Sequence, residues 1–397
     1  MNKSFKIKPG SDYGQPILSN GWIRTGLKYK NIFITRFQYS ILNHFGNQGG
    51  NSKYAKIFSS LVRKIIGSYI YSIKLEVNDI CTLSCEMCYV PKGQTEMPIQ
   101  WIKSLLDQIK SCGIRLELLG GEPLLRKDIV EIVRLSKTYA KIPHVSIYTN
   151  GIFATAELSK DLKSAGLDSA IVTLISADPD THDNFTGSKG SWDQTINGIQ
   201  NLKEASVNTF TFTAIHNKNA GEIKKIHKFV TEELKAHALF YQYIPQKKED
   251  NLIIANDLWY ELKNWVLEMN PGHSRFVRDF YMLTGNACSG GNFVLTVKAD
   301  GTVQPCPFIS NIPLGHINNT NIWSIYKNRY NSEDLKSFKR LPDLCMHCSY
   351  SSVCGGGCRA GNESVSLDYS KSDHRCLGPF SEKMNKNKIM ERTPCFF

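Results

Sequence analysis

Three cysteines stand close together at Cys81, Cys85 and Cys88, in the run CTLSCEMC. Thiolates at this spacing on one loop can each take one iron of a [4Fe–4S] cluster and leave the fourth iron without a protein ligand. An iron left open in this way can bind a substrate or cofactor. A cluster that only carries electrons has all four irons ligated. The same thiolates with a remote fourth ligand would also suit a zinc knuckle, and spacing alone leaves both readings standing. A second group lies further on: Cys288 and Cys306, then Cys345, Cys348, Cys354, Cys358 and Cys376. Its close pairs fit zinc ribbons as well as iron–sulfur ligation. Of the twelve cysteines, Cys112 and Cys395 fall outside both groups. Cys112 ends an expected helix and reads as a buried apolar residue. Met1–Gly10 has no apolar stretch behind it that would make a cleaved secretory signal, so a cytoplasmic location is expected. In that compartment, metal or cluster ligation explains so many cysteines better than disulfides do.

The elements that must position these residues begin at residue 71. Apolar runs predict strands at 73–77, 115–119, 145–148, 170–175, 209–215 and 239–244. Helical periodicity predicts helices at 101–112, 127–140, 156–165, 192–205 and 220–235 between them. Strand–helix alternation of this length implies an α/β fold with a parallel sheet, curled into a partial (β/α)6 TIM-like barrel. Reactive groups in such barrels sit at the carboxyl ends of the strands, and Cys81 directly follows the first of them. After about residue 280 the chain becomes cysteine-rich and loop-rich, and Lys298-Ala-Asp-Gly301 is a good hairpin turn. The expected domains are a basic segment at 1–70, the barrel at 71–280 and a cysteine-rich domain at 281–397.

The loop from Cys81 to Cys88 resembles the cluster-binding motif of the radical S-adenosylmethionine (AdoMet, SAM) superfamily, and further motifs agree in order. Gly120-Gly121-Glu122-Pro123 resembles the family segment that contacts the methionine part of the cofactor. The resemblance implies that Glu122 meets the amino group and that the two glycines allow close backbone approach. Thr149 and Asn150, in Tyr148-Thr-Asn-Gly151, would line the cofactor cleft. Ser176 and Asp178, in the segment running to His182 and Asp183, would meet the ribose or carboxylate. Met87 departs from the family, which usually has an aromatic there. The later cysteines resemble the SPASM domain that follows some of these barrels. The resemblance implies one auxiliary [4Fe–4S] cluster on Cys345, Cys348, Cys354 and Cys376, and another on Cys288, Cys306 and Cys358. The resemblance leaves the fourth site of the latter either open or held by a ligand other than cysteine. The implied activity is that of a radical SAM oxidoreductase or maturase. Reductive cleavage of AdoMet at the Cys81/Cys85/Cys88 cluster gives a 5′-deoxyadenosyl radical, which takes hydrogen from a substrate. In the sulfatase-maturing branch an Asp follows the second SPASM cysteine. Pro307 stands there in this sequence.

No apolar run reaches the roughly eighteen residues of a membrane-spanning helix. The first seventy residues carry eleven Lys and Arg against one Asp and no Glu, which accounts for most of the chain's net +12. Such a segment points to an acidic or phosphorylated substrate, a precursor peptide or a membrane surface, or it is a solvated face. Two helices are expected after Asn31, the second a basic amphipathic one with Ile57, Phe58, Leu61, Val62, Ile65, Ile66 and Tyr69 on one side. The expected substrate is a ribosomally made peptide or protein, with a reductase or a flavodoxin- or ferredoxin-type protein as electron donor. The alternative is dehydrogenation or epimerisation of a small molecule or sugar. A zinc-stabilised nucleic-acid-binding protein is the remote alternative, against which the barrel motifs argue.

Overall fold

The computed structural model describes residues 17–19, 22–25, 32–35, 70–269, 288–348, 351, 355–366, 368–376 and 378. Near the N-terminus, β1 (Ile17–Ser19), β2 (Trp22–Thr25) and β3 (Ile32–Thr35) form an antiparallel sheet in that order. Residues 32–35 were expected to open a helix; their short apolar run Ile-Phe-Ile-Thr suits a strand equally well, and pairing with β2 decides it. The expected amphipathic helix around 57–69 lies outside the described residues.

Six parallel strands follow: β4 (Ser72–Glu76), β5 (Arg115–Leu119), β6 (Val145–Thr149), β7 (Ser169–Thr173), β8 (Asn208–Ile215) and β9 (His237–Gln242). Each pairs with the next in chain order. The helices between them are α1 (Ile99–Ile109), α2 (Ile129–Arg134), α3 (Ala156–Ala165), α4 (Pro179–Thr186), α5 (Ser191–Glu204) and α6 (Ile223–Lys228). Helix α7 (Asn256–Met269) follows β9. The expected (β/α)6 arrangement is therefore present. Its core joins the helix-facing side chains Ile73, Leu75, Leu116 and Leu118 to Ile102, Leu105 and Leu106, all without exposed surface. Parallel strands are covered on both faces in this way because their crossover helices must pack back on the sheet.

Two expected helices are shorter than the sequence pattern. Residues 127–140 and 220–235 each end in a widened turn, Leu135–Tyr139 and Phe229–Glu233. The chain then reverses through Lys141 and Lys235, both with positive φ. Helix ends of this left-handed kind usually carry glycine, and these do not.

The cysteine-rich region is continuous with the barrel sheet. Strand β10 (Val294–Val297) pairs parallel with β4, from Val294 opposite Ser72 to Val297 opposite Leu75. Strands β11 (Thr302–Gln304) and β12 (Gly315–His316) extend it, giving nine strands in the order β12-β11-β10-β4-β5-β6-β7-β8-β9. The expected turn at 298–301 joins β10 to β11. It is closed by Gly301 N–H to Lys298 O at 2.8 Å. Helix α8 (Ile322–Asn328) docks on α1, where Gln108 accepts from Ile322 N–H at 2.7 Å and from Trp323 Nε1 at 2.8 Å. Helices α9 (Glu333–Lys339) and α10 (Arg359–Ser366) complete the described part. Among the described residues no helix is long and apolar enough to cross a membrane.

Because β10 belongs to the barrel sheet, Leu295→Ala is expected to destabilise barrel and C-terminal region together. Leu295 has no exposed surface, and removing such a side chain costs about 2–5 kcal/mol. Urea unfolding with hydrogen exchange checks this: the loss should spread to β4 and β5, and a loss confined to residues after 288 would contradict the joint sheet.

Candidate active site

The loop carrying Cys81, Cys85 and Cys88 leaves the carboxyl end of β4 and is pinned by the carboxyl end of β5. Gly121 N–H donates to Asn78 O at 3.0 Å, and Glu122 N–H donates to Ile80 O at 2.7 Å. Asn78 Nδ2 returns a bond to Glu122 O at 3.0 Å. The two glycines are needed for this approach. A Cβ at Gly120 would sit 2.6 Å from Asn78 O, and one at Gly121 would sit 2.4 Å from Ile80 O. The close approach is thus made to the cysteine loop itself.

Glu122 has no exposed surface. Oε1 accepts from Leu124 N–H at 2.9 Å and from the Thr149 hydroxyl at 2.7 Å, and Oε2 accepts from Asn150 N–H at 2.8 Å. The carboxylate expected to meet a ligand's amino group is therefore turned to internal donors, tying the ends of β5 and β6. Burial pushes its pKa up to about 7, against the pull of those donors. Asn150 Nδ2 in turn reaches Cys81 Sγ at 4.0 Å. Strand ends β4, β5 and β6 thus converge on the cysteine loop.

The thiols lie within electrostatic reach of one another. Burial raises the pKa of Cys81 and Cys88. It pushes Cys85 up to about 12, with the other two thiols adding to the rise. Three clustered thiolates, two half-buried and Cys88 exposed, raise one another's cost and are relieved by a polynuclear cation that binds all three, so the donor set fits an iron–sulfur cluster. Among the described residues no three His, Cys, Asp or Glu side chains converge tightly enough to share one ion. A cubane cluster gives each thiolate its own iron and does not ask for that. Met87 packs on Ile175, Phe185, Tyr243 and Leu252, filling the place where an aromatic was the family norm.

Sequence reasoning missed the charged groups beside the loop. Lys298, on the β10–β11 turn, pairs with the buried Glu76 at 2.6 Å, and Lys74 pairs with Glu117 at 2.7 Å. Burial raises the pKa of Glu76 in spite of Lys298. At Glu117, burial acts upward, but Lys74 and the Ser72 hydroxyl hold the carboxyl below its ordinary value. The Tyr89 ring lies 4.6 Å from Phe308, centroid to centroid, with Lys298 Nζ 5.5 Å from its centre. Charges on Cys88 and Cys306 both act on the Tyr89 phenol, so this residue lies between the two cysteine groups. Alternation along β4 and β5 could have flagged Lys74, Glu76 and Glu117 as charges within buried strands.

Ser176 and Asp178 are engaged by neighbours within the chain. The Ser176 hydroxyl donates to Glu222 Oε2 at 2.5 Å and accepts from Asp178 N–H at 2.9 Å. Asp178 caps α4, accepting from Thr181 N–H at 2.9 Å and from its hydroxyl at 2.8 Å, and these donors lower its pKa. His182 is buried, and Asp183 gathers Ser191 Oγ at 2.9 Å and Trp192 N–H at 2.8 Å. This segment is a helix cap and loop anchor. The sequence Asp-Pro-Asp-Thr carries that signal: a capping Asp before proline at the first helical position.

In the C-terminal region burial raises the pKa of Cys306, and Cys288 and Cys358 add to the rise. Burial likewise pushes Cys358 up to about 11. These three expected ligands are brought together. Asp373 positions Cys358 by accepting its N–H at 2.8 Å, and is gripped by Arg375 through two bonds of 2.9 Å. Gly357, with φ +85°, permits this contact, since a Cβ there would lie 2.2 Å from Asp373 Cβ. Cys345 and Cys348 share a tight turn, with Cys348 N–H donating to Cys345 O at 3.1 Å, and Cys376 N–H donates to Asp373 O at 2.8 Å. Cys354 and Cys395 lie outside the described residues. Cys112 is buried, as expected.

The Glu122 shift carries a sign. Its carboxyl binds a proton more tightly folded, at about 7, than at its ordinary 4.5, so the stabilisation is complete below pH 4.5 and is lost as pH rises through 7. Denaturation of cluster-free protein from pH 4.5 to pH 8 should show a loss on the order of 3 kcal/mol that Glu122→Gln lacks. Parallel profiles for the two proteins would contradict it.

The family model of the radical SAM superfamily matches residues 75–230, and that of the SPASM iron–sulfur cluster-binding domain matches residues 288–349. An AdoMet-dependent heme synthase of Methanosarcina barkeri is 28% identical over 77% of this chain and 95% of its own. A PqqA peptide cyclase of Rhizobium meliloti is 24% identical over 76% and 86%. A GTP 3′,8-cyclase of Desulforamulus reducens is 31% identical over 59% and 80%. Among solved structures, Streptococcus suis SuiB bound to the precursor peptide SuiA superposes with a TM-score of 0.65 at 16% identity, covering 82% of this chain and 80% of that one. Members of this family use AdoMet with a [4Fe–4S] cluster, and the SPASM domain implies auxiliary iron–sulfur clusters. With its cysteine loop at the mouth of a parallel α/β sheet and its second cysteine group joined to that sheet, the chain belongs to the radical SAM superfamily and carries a SPASM domain.

Proposed function

We propose that the chain is a peptide- or protein-modifying radical SAM enzyme whose primary cluster is held by Cys81, Cys85 and Cys88. When bound, that cluster and AdoMet supply hydrogen-atom abstraction from an unactivated C–H bond. The observation that carries the reading is the pinning of the loop that bears these three thiols, through Asn78 and Ile80, to the backbone of Gly121 and Glu122 at the strand ends. In this reading the backbone of Gly120–Pro123, with Thr149 and Asn150, forms the cofactor cleft, and Glu122 fixes that cleft from behind. Ser176 and Asp178 shape its far wall through Glu222 and the α4 cap. Lys74, Glu117, Lys298 and Tyr89 line the space toward the auxiliary site. Among the described residues the Tyr89 hydroxyl has no hydrogen-bond partner, which leaves it for a substrate acceptor. Cys288, Cys306 and Cys358 hold one auxiliary cluster, and Cys345, Cys348, Cys354 and Cys376 hold the other.

The peptide class is supported by the PqqA peptide cyclase relative and by the SuiB–SuiA likeness in fold. The basic segment 1–70 is then the docking surface for an acidic leader, and a flavodoxin- or ferredoxin-type protein the electron donor. A second reading, oxidation of a small molecule, draws on the heme synthase relative, whose length is matched almost throughout.

Anaerobically reconstituted protein, incubated with AdoMet, dithionite and candidate peptides, is expected to give 5′-deoxyadenosine and a peptide product lighter by hydrogen in mass spectrometry. Cys85→Ala should abolish both while keeping about eight of about twelve irons, four for each auxiliary cluster. Cleavage that persists in Cys85→Ala would refute the assignment. Products confined to small molecules would move the conclusion to the second reading.

A further inference from the structure

Arg359, the residue after Cys358, is 2% exposed. Its guanidinium donates to four backbone carbonyls: Phe338 O at 2.9 Å, Arg340 O at 3.1 Å, Lys371 O at 3.5 Å, and Tyr369 O. Among the described residues no carboxylate pairs with it. Burial weighs most on its charge, and among the groups that favour the charged form the thiols of Cys288, Cys345 and Cys358, drawn from both auxiliary cysteine sets, come first. Asp368, the acid that feels it, is half-buried and accepts from Ser370 N–H and its hydroxyl. Lys339 repeats the pattern. Its Nζ donates to Cys288 O at 2.6 Å and Gly290 O at 3.1 Å, and Cys288 and Cys306 are the anion-forming groups near it. A guanidinium stays protonated in a protein, so Arg359 is a fixed charge. A buried charge whose only partners are neutral carbonyls lacks a counter-ion.

Resting on the reading of these cysteines as cluster ligands, we propose that Arg359, assisted by Lys339, is a positioning residue that supplies the counter-charge for the auxiliary clusters and raises their reduction potentials. Thiolate-ligated clusters gain negative charge on reduction, and a cation fixed nearby in a poorly screened interior favours the reduced form. The four carbonyls hold the guanidinium in place without neutralising it. Lys339, tied to the backbone of Cys288, acts on the Cys288–Cys306–Cys358 set alone. Arg359 acts on both sets.

The test uses the full chain with Cys81, Cys85 and Cys88 each changed to Ala, so that only the auxiliary sites hold iron, titrated electrochemically with EPR detection. In Arg359→Gln the midpoint potentials should move negative, and in Arg359→Lys they should move less. Unmoved potentials in Arg359→Gln at full iron content overturn the proposal. If Arg359→Gln loses iron and Arg359→Lys retains it, charge is what holds the clusters and the proposal stands. If both lose iron, the forked hydrogen bonding matters instead and the proposal falls. Lys339→Gln should shift one of the two signals, and a shift of neither counts against its part. A parent that takes up no iron here defeats the reading of the cysteines as cluster ligands, which is a separate failure.

Discussion

At the mouth of the barrel two stretches of backbone meet with no side chain between them. Gly120 and Gly121 lie against Asn78–Ile80 at distances a Cβ would not allow, and hydrogen bonds from residues 121 and 122 hold them there. This contact fixes where the cysteine loop begins. Glu122 then carries the constraint to β6 through Thr149 and Asn150, and Asn150 brings it back to Cys81. The loop is thus held by the ends of three strands whose own positions are set by the apolar core beneath. Rigid elements hold reactive groups more closely than free loops do.

The two cysteine regions sit in different electrostatic surroundings. Beside the primary loop Lys74 has Glu117 and Lys298 has Glu76, and Lys92 bonds the Ser84 hydroxyl. Around the auxiliary set Arg359 and Lys339 bond to carbonyls instead. Tyr89 and Phe308 meet at a tilt where the regions join, one from each side. The joint is also covalently economical, since β10 adds to β4 and delivers Lys298 to Glu76 directly from its turn. A chain that placed its second cysteine group on a separate, loosely tethered unit would have no such contact.

Much of this was legible from residue order. The strand–helix alternation gave the parallel sheet because each strand is a short apolar run and each helix keeps a 3.6-residue stripe. Cysteine spacing marked both candidate centres, and the hairpin at 298–301 was announced by its Asp-Gly. What escaped was non-local or chemically ambiguous. Nothing in Val294–Val297 states that its partner is Ser72–Leu75, more than two hundred residues earlier. The last turns of two helices widen over Leu135–Tyr139 and Phe229–Glu233, and the chain leaves them through left-handed Lys141 and Lys235 without glycine to signal it. Asp178 also caps α4, a role its place before proline allows but does not require. The sequence does not show the internal donors that Glu122 accepts from, since it does not say toward which side of a strand end a carboxylate turns.

The central claim is that the cluster on Cys81, Cys85 and Cys88 has one iron free of thiolate and open to AdoMet. The most direct measurement is the EPR and electron–nuclear double resonance spectrum of the reduced cluster, with and without AdoMet labelled with ¹⁵N in its amino group. The expected result is a changed EPR signal and a hyperfine coupling to the labelled nitrogen. A reduced cluster whose spectrum is indifferent to saturating AdoMet would contradict the account.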